Sequence, residues 1–232
     1  MKYFLRLRNT VSAGLLLCFL LSCNEYSQQA KTEPVPPYWE DIRDFKKQDS
    51  LSFPPDNAIL FIGSSSFTLW TDVQDYFPGY TIINRGFGGS TLALQIYYAQ
   101  DIIFPYKPKQ IVIYCGENDL AFEGVSAAEV FERFKKLFQI IRGKFTDIPV
   151  AYISMKPSPS RRHLIPMMRE GNKLIKDFLS NQENTVFIEV HKLMLDASGE
   201  PISEIFLDDS LHMNAKGYAI WQKEIKPRLL KD

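Results

Sequence analysis

Five short apolar runs, each closed by small or polar residues and separated by stretches of helical periodicity, constrain this chain more than any other feature. They fall at residues 58–62, 81–84, 110–115, 149–154 and 185–190. Helical segments lie between and after them, at 92–103, 127–144, 162–182 and 215–230. In the second of these, Val130, Phe134, Leu137 and Ile141 form one apolar stripe. Ahead of the first run, Trp39, Ile42 and Phe45 recur at helical spacing among charges, and Pro54-Pro55 closes that approach. Strands that are apolar on both faces, alternating with helices, predict a sheet buried on both sides. The expected fold is therefore α/β, a three-layer α/β/α sandwich with a mainly parallel five-stranded sheet. No internal repeat and no composition break marks a second globular unit.

A chain of 232 residues, 45% hydrophobic, can bury roughly 70% of its unfolded surface in one core. Its 27 basic and 27 acidic residues balance, so it lacks the basic excess expected of a nucleic-acid partner. Three cysteines are too few for a disulfide framework or a zinc ribbon.

The N-terminus reads as an address. Lys2, Arg6 and Arg8 precede an apolar run from Val11 to Leu21, about half the length of a spanning helix. The run ends in Leu20-Leu21-Ser22-Cys23, which resembles the lipobox of bacterial lipoprotein signals. That resemblance implies a signal peptide over 1–22, lipidation at Cys23, a polar proline-bearing tether over 23–37 and a single domain over 38–232. It implies a membrane partner through the lipid anchor and a place at the cell envelope. Asn24 follows the cysteine where some lipoproteins carry the aspartate that retains them at the inner membrane, which favours the outer one.

In a parallel sheet, ligands bind beyond the carboxyl ends of the strands. The sequences there are Gly63-Ser64-Ser65-Ser66, Gly86-Phe87-Gly88-Gly89-Ser90-Thr91 and Gly116-Glu117-Asn118-Asp119, joined near the C-terminus by Asp209-Ser210-Leu211-His212. Together they hold the parts of a nucleophilic site. A serine hydroxyl needs a base, and histidine serves near neutral pH. The histidine needs a carboxylate to fix its tautomer, and Asp209 and His212 lie three residues apart in one turn. Glycine loops expose backbone N–H groups to a developing oxyanion, and an asparagine amide adds a donor.

These four segments, in this order, resemble the four blocks of the SGNH hydrolases, also called GDSL-like lipases or acylhydrolases. The likeness runs from about Trp39 to Trp221, takes in residues 154–161 and 211–218 as well, and implies that the expected sandwich is of the flavodoxin-like type of the SGNH hydrolase fold. It implies Ser65 as nucleophile, His212 as general base and then acid, and Asp209 as its orienting carboxylate. It implies an oxyanion hole built from the N–H groups of Ser65 and Gly89 and the side chain of Asn118, with no metal or cofactor. One departure is plain: Ser64 stands where the family usually carries aspartate, and it leaves three adjacent serines, with Ser64 the next candidate after Ser65. The implied reaction is ester hydrolysis through an acyl-enzyme. Two substrate readings stay open, deacetylation of an extracellular glycan or sugar and cleavage of lipid acyl chains. A binding protein that kept the fold and lost turnover is a third reading, of another class.

Other readings of the same residues are structural. Serines 64–66 suit a helix N-cap, and so do His212 and Asp209 before the last helix. The glycine loop lacks a Gly-x-Gly-x-x-Gly or a following lysine, which disfavours phosphate binding. His163 and His191 read as surface or packing residues, and Cys115 as a buried strand residue. Lys156 and Arg161, after the fourth strand, suit either an anionic substrate group or a solvated loop. Glu117 and Asp119 are not spaced with histidines as metal ligands. The aromatic patches around Phe67 and Trp70 and at Tyr97-Tyr98 read mainly as core. The rival α/β-hydrolase elbow, Gly-x-Ser-x-Gly, fails at Phe67, where its last glycine would stand.

Overall fold

The computed structural model describes residues 36–231. The signal peptide, Cys23 and all but the last two residues of the expected tether lie outside the described residues. The first helix, α1 (Trp39–Leu51), is followed by β1 (Ile59–Gly63), the short helices α2 (Ser65–Thr68) and α3 (Val73–Tyr76), and β2 (Ile82–Gly86). Then come α4 (Leu92–Tyr97), α5 (Ala99–Ile102), β3 (Gln110–Tyr114), α6 (Glu117–Phe122), α7 (Ala127–Lys144) and β4 (Val150–Ile153). A 3-10 turn (Pro159–Leu164) leads into α8 (Ile165–Leu179), β5 (Thr185–Ile188) and α9 (Ala215–Ile225).

All five strands pair in parallel, in the order β2-β1-β3-β4-β5. Side chains alternate across the sheet with period two, and the two faces gather two separate cores. Leu60, Ile62, Ile111 and Ile113 meet Val130, Phe134, Leu137 and Ile141 of α7 and Ile175 of α8. Ile59, Phe61, Val112 and Tyr114 meet Phe67 and Trp70, which pack in the same cluster on Tyr218 and Trp221 of α9. Each large side chain so buried contributes about 1.5–3 kcal/mol relative to exposure. The three-layer sandwich expected from the alternation is the observed fold, and the sheet is parallel throughout.

Three predicted helices are shorter than their periodicity suggests. Segment 92–103 breaks at Tyr98, whose backbone leaves the helical region (φ −93°, ψ 11°) while its hydroxyl donates to Pro37 O at 2.6 Å. Segment 162–182 begins as the 3-10 turn, and α8 proper starts one residue before Pro166, since proline is tolerated only in a first turn. Segment 215–230 passes into a 3-10 turn (Lys226–Arg228) immediately before Pro227. None of the described helices is long and apolar enough to cross a membrane.

The strand order places β1 between β2 and β3, so the chain leaves β1 to one side and returns to the other. The loops after β1 and β3 part at that point and open a crevice at the carboxyl end of the sheet. β1 ends in Gly63, at φ 151°, where an added Cβ would stand 1.9 Å from Tyr114 O. Only glycine fits there, and the turn it permits brings Ser65 to the crevice while Ser64 and Ser66 stay buried.

Candidate active site

Ser65 occupies the first position of α2, half-buried, directly after that turn. Ser64 is the residue at the N-cap position, without a side-chain capping bond. The first N–H groups of a helix have no partner within it, which leaves that of Ser65 available to a ligand. The short helix is fixed from behind: Tyr218 of α9 donates to Ser66 O at 2.9 Å, and its ring stacks on Trp70 with centroids 4.7 Å apart.

Ser65 Oγ lies 3.0 Å from Nε2 of His212, and Nδ1 of His212 lies 2.6 Å from Oδ2 of Asp209. The other oxygen of Asp209 accepts the N–H groups of Leu211 and His212, both at 2.9 Å. Desolvation pulls this carboxyl upward, but the His212 N–H and ring and the Leu211 N–H outweigh it and hold the group at about 2. Asp209 is thus ionised near neutral pH, and the proton it attracts to Nδ1 leaves Nε2 free to accept from the serine hydroxyl. The turn is tight, with Ser210 at φ 56°, and is pinned by Leu207 N–H to His212 O at 2.8 Å. Neither His212 nor Asp209 caps the last helix. Asn214 does, accepting from the N–H groups of Lys216 and Gly217.

The second half of the site comes from the loops after β2 and β3. Gly89 takes φ 75°, and a Cβ there would meet the Tyr38 hydroxyl at 2.7 Å, so the loop has no room for a side chain. Tyr38, at the start of the described chain, donates to Gly89 O at 3.3 Å. Ser90, fully buried, donates to Gly63 O at 3.0 Å and ties this loop to the turn before Ser65. Asn118 is 4% exposed; its Nδ2 donates to Ser90 O at 3.0 Å, which uses one of two amide hydrogens.

Asp119 holds the two loops together. Its oxygens accept Leu92 N–H at 3.2 and 3.0 Å, at the head of α4, and it pairs with Arg133 of α7 at 2.9 Å. Burial nevertheless pushes its carboxyl up to about 6, against the Leu92 N–H and Arg133. The guanidinium is shared with Glu123 and Glu129, so its charge is not devoted to Asp119.

Ser65, Gly89, Asn118 and His212 line one cleft of about 300 Å³. Leu69, Phe122 and Leu211 form its apolar rim, with Leu69 and Phe122 exposed. A larger cavity of about 510 Å³ lies beside Tyr80, Gln222 and Lys226, with no base and nucleophile together in it.

The remaining sequence candidates fall elsewhere. His163 is exposed, and His191 is buried with Nδ1 2.8 Å from Met155 O, its ring biased to the neutral form by burial. Cys115 is buried just past β3, and burial pushes its thiol well up, away from nucleophilic chemistry. Phe67, Trp70 and Tyr98 are core, whereas Leu69 reaches the cleft and Tyr97 faces solvent. Neither Lys156 nor Arg161 belongs to a solvated loop, contrary to one of the two sequence readings. Both are buried, and both bind Glu117, at 3.3 and 3.2 Å. Among the described residues no cluster of three or more His, Cys, Asp or Glu side chains could hold a metal ion. Sequence reasoning missed Tyr38, Asp119 and Gln95 as supports, the last donating its Nε2 hydrogens to Gly63 O at 3.2 Å and Ser90 Oγ at 3.0 Å. The position of Asp119 directly after Asn118 was the available signal for one of them.

The profile of a family described as GDSL-like Lipase/Acylhydrolase matches residues 49–220. Among solved structures, a Streptococcus pneumoniae protein described as a platelet activating factor superposes with TM-score 0.72 at 20% identity, covering 83% of this chain and 92% of its own. A GDSL-like lipase from Bacteroides thetaiotaomicron gives 0.68 at 18% identity, with 81% and 96% covered. A carbohydrate esterase family 3 protein from Talaromyces cellulolyticus gives 0.55 at 14% identity, with 74% and 95% covered. At these identities the likeness is one of fold. An Escherichia coli N-acylneuraminate cytidylyltransferase is 23% identical over 203 residues, 85% of this chain, and the chain spans about half of that protein, 46%.

Proposed function

The chain belongs to the GDSL-like lipase/acylhydrolase family, and on that premise we propose that it cleaves carboxylic esters with Ser65, His212 and Asp209, releasing short acyl groups from sugars or glycans at the cell envelope. The observation that carries the reading is the continuous chain of contacts from Asp209 through His212 to Ser65 at the mouth of a cleft that Asn118 and Gly89 share. Ser65 Oγ attacks the ester carbonyl as its proton passes to Nε2. The carbonyl oxygen, now an oxyanion, is met by the N–H groups of Ser65 and Gly89 and the free hydrogen of Asn118. Collapse breaks the bond to the alcohol, which takes the proton from Nε2. Water then enters, gives its proton to the same nitrogen, and the acyl group leaves as a carboxylic acid while the proton returns to Ser65.

A cleft of about 300 Å³ is at the small end for a ligand site, which favours a short acyl group with the alcohol part outside it. Lipidation at Cys23 and residence in the outer membrane belong to the same proposal: a tethered esterase meets substrates at the cell surface. One observation favours the lipid reading instead, the exposed Leu69 and Phe122 at the rim, 46% and 64% accessible, which an acyl chain could cover.

Hydrolysis of p-nitrophenyl esters of increasing acyl length, by the full chain in detergent beside its Ser65→Ala variant, separates the readings. Turnover of acetate that collapses with longer chains supports the deacetylase, and activity growing with chain length replaces it by the lipid reading. Turnover equal in the variant removes Ser65 as nucleophile, and turnover absent throughout leaves the binding-protein reading, or a leaving group outside this panel, in its place.

A further inference from the structure

We propose that Arg161 is a positioning residue that holds the Asn118 amide in the one orientation able to donate to the oxyanion; the proposal rests on the esterase reading above. Arg161 Nη2 donates to Asn118 Oδ1 at 2.8 Å, on the side of the amide opposite the bond from Nδ2 to Ser90 O. Both contacts reject a flipped amide. Turned by 180°, Nδ2 would face a guanidinium N–H, donor against donor, and Oδ1 would face the Ser90 carbonyl, acceptor against acceptor. The donor is thereby oriented before substrate arrives, which is the condition under which an oxyanion contact is most effective.

The guanidinium is itself built in. It is 8% exposed, its Nη1 donates to Glu117 Oε1 at 3.2 Å, and the Phe122 ring lies 5.2 Å from it at the rim of the cleft. Lys156 binds both oxygens of the same carboxylate, at 3.3 and 3.4 Å, with the Phe206 ring 5.8 Å away. Glu117 thus serves two cations and fully neutralises neither, so Arg161 keeps positive character beside the place where negative charge develops. A buried cation next to a neutral donor also strengthens that donor by polarising it.

The loop that carries Arg161 reaches the triad as well. Ser160 N–H donates to Ser210 O at 3.1 Å, inside the turn that presents Asp209 and His212. Pro159 opens the 3-10 turn and Arg161 departs from helical geometry within it (φ −112°, ψ 24°), which sends its side chain toward α6. One segment after β4 therefore braces the oxyanion donor with a side chain and the acid–base pair with its backbone.

The test is a double-mutant cycle on acetate-ester hydrolysis with Arg161→Met, Asn118→Ala and the pair, beside Ser65→Ala. Arg161→Met is expected to lower kcat about 10-fold or more with KM little changed, less than the 10²- to 10³-fold expected for loss of the donor itself. In the Asn118→Ala background the same change should cost nothing further, because the arginine acts through the amide. Arg161→Lys, which keeps charge but can reach only one partner, should recover part of the loss and carries the test if the methionine variant fails to fold. Losses that add in the double variant, a rise in KM confined to anionic esters, or full activity in Arg161→Met would each overturn the proposal. Turnover surviving in Ser65→Ala would instead remove the esterase reading on which it rests.

Discussion

Asp209 determines how the site responds to acid. Its carboxyl is held at about 2, well below the ordinary aspartate range, so it is ionised near neutral pH and takes up a proton only as the pH falls toward 2. The proposed mechanism needs one further group deprotonated, the base that accepts from Ser65, so kcat/KM should fall on the acid side along a limb of unit slope. Asp209→Asn should lower kcat by about 10³-fold or more at neutral pH, because the carboxylate no longer holds the proton at Nδ1. A limb of slope two, or an Asp209→Asn variant of wild-type rate, would contradict this. At this scale the sequence was most readable where residues act locally: Asp209 and His212 meet within one turn, and Asn118 sits at a strand end. Arg161 was not readable in the same way, because its partners Asn118 and Glu117 lie 43 and 44 residues away and meet it only through the sheet.

Among elements, α4, α6 and α7 are joined at Asp119. The folded protein holds the Asp119 proton more tightly than the unfolded chain, since burial raises the carboxyl from 3.8 to about 6. The stability it contributes is fully present below the unfolded value and is lost as the pH rises through about 6, a change on the order of 3 kcal/mol. Denaturant unfolding of the wild type and Asp119→Asn should thus show the wild type losing ground to the variant between acid and neutral pH. A wild type that gains on the variant over that interval would reverse the assignment. Element boundaries were the least legible feature of the sequence. The apolar periodicity runs through Tyr98 without interruption, but the tyrosine's bond to Pro37 turns the chain there. The turn into α8 and the end of α9 followed prolines that were visible in the sequence, and periodicity alone overran both.

For the whole molecule, alternating apolar runs and helices specified a parallel sandwich, because only helices on both faces can bury strands apolar on both sides. Apolar pattern alone is silent on strand order, which depends on which side of β1 each crossover returns; the flavodoxin-like order came with the family resemblance. The order found, with β1 between β2 and β3, puts the serine turn and the asparagine loop on either side of one crevice. Four segments far apart in sequence thereby converge, and the two cores hold them with Trp70, Tyr218 and Trp221 on one face and α7 on the other. The proposed mechanism assigns the nucleophile to Ser65 out of three adjacent serines. Reacting the protein with a fluorophosphonate and locating the adduct by tandem mass spectrometry tests that assignment. One adduct is expected, on Ser65, absent from Ser65→Ala and formed at least about 10³-fold more slowly in His212→Ala. An adduct on Ser64 or Ser66, or one that forms at wild-type rate in Ser65→Ala, would contradict it.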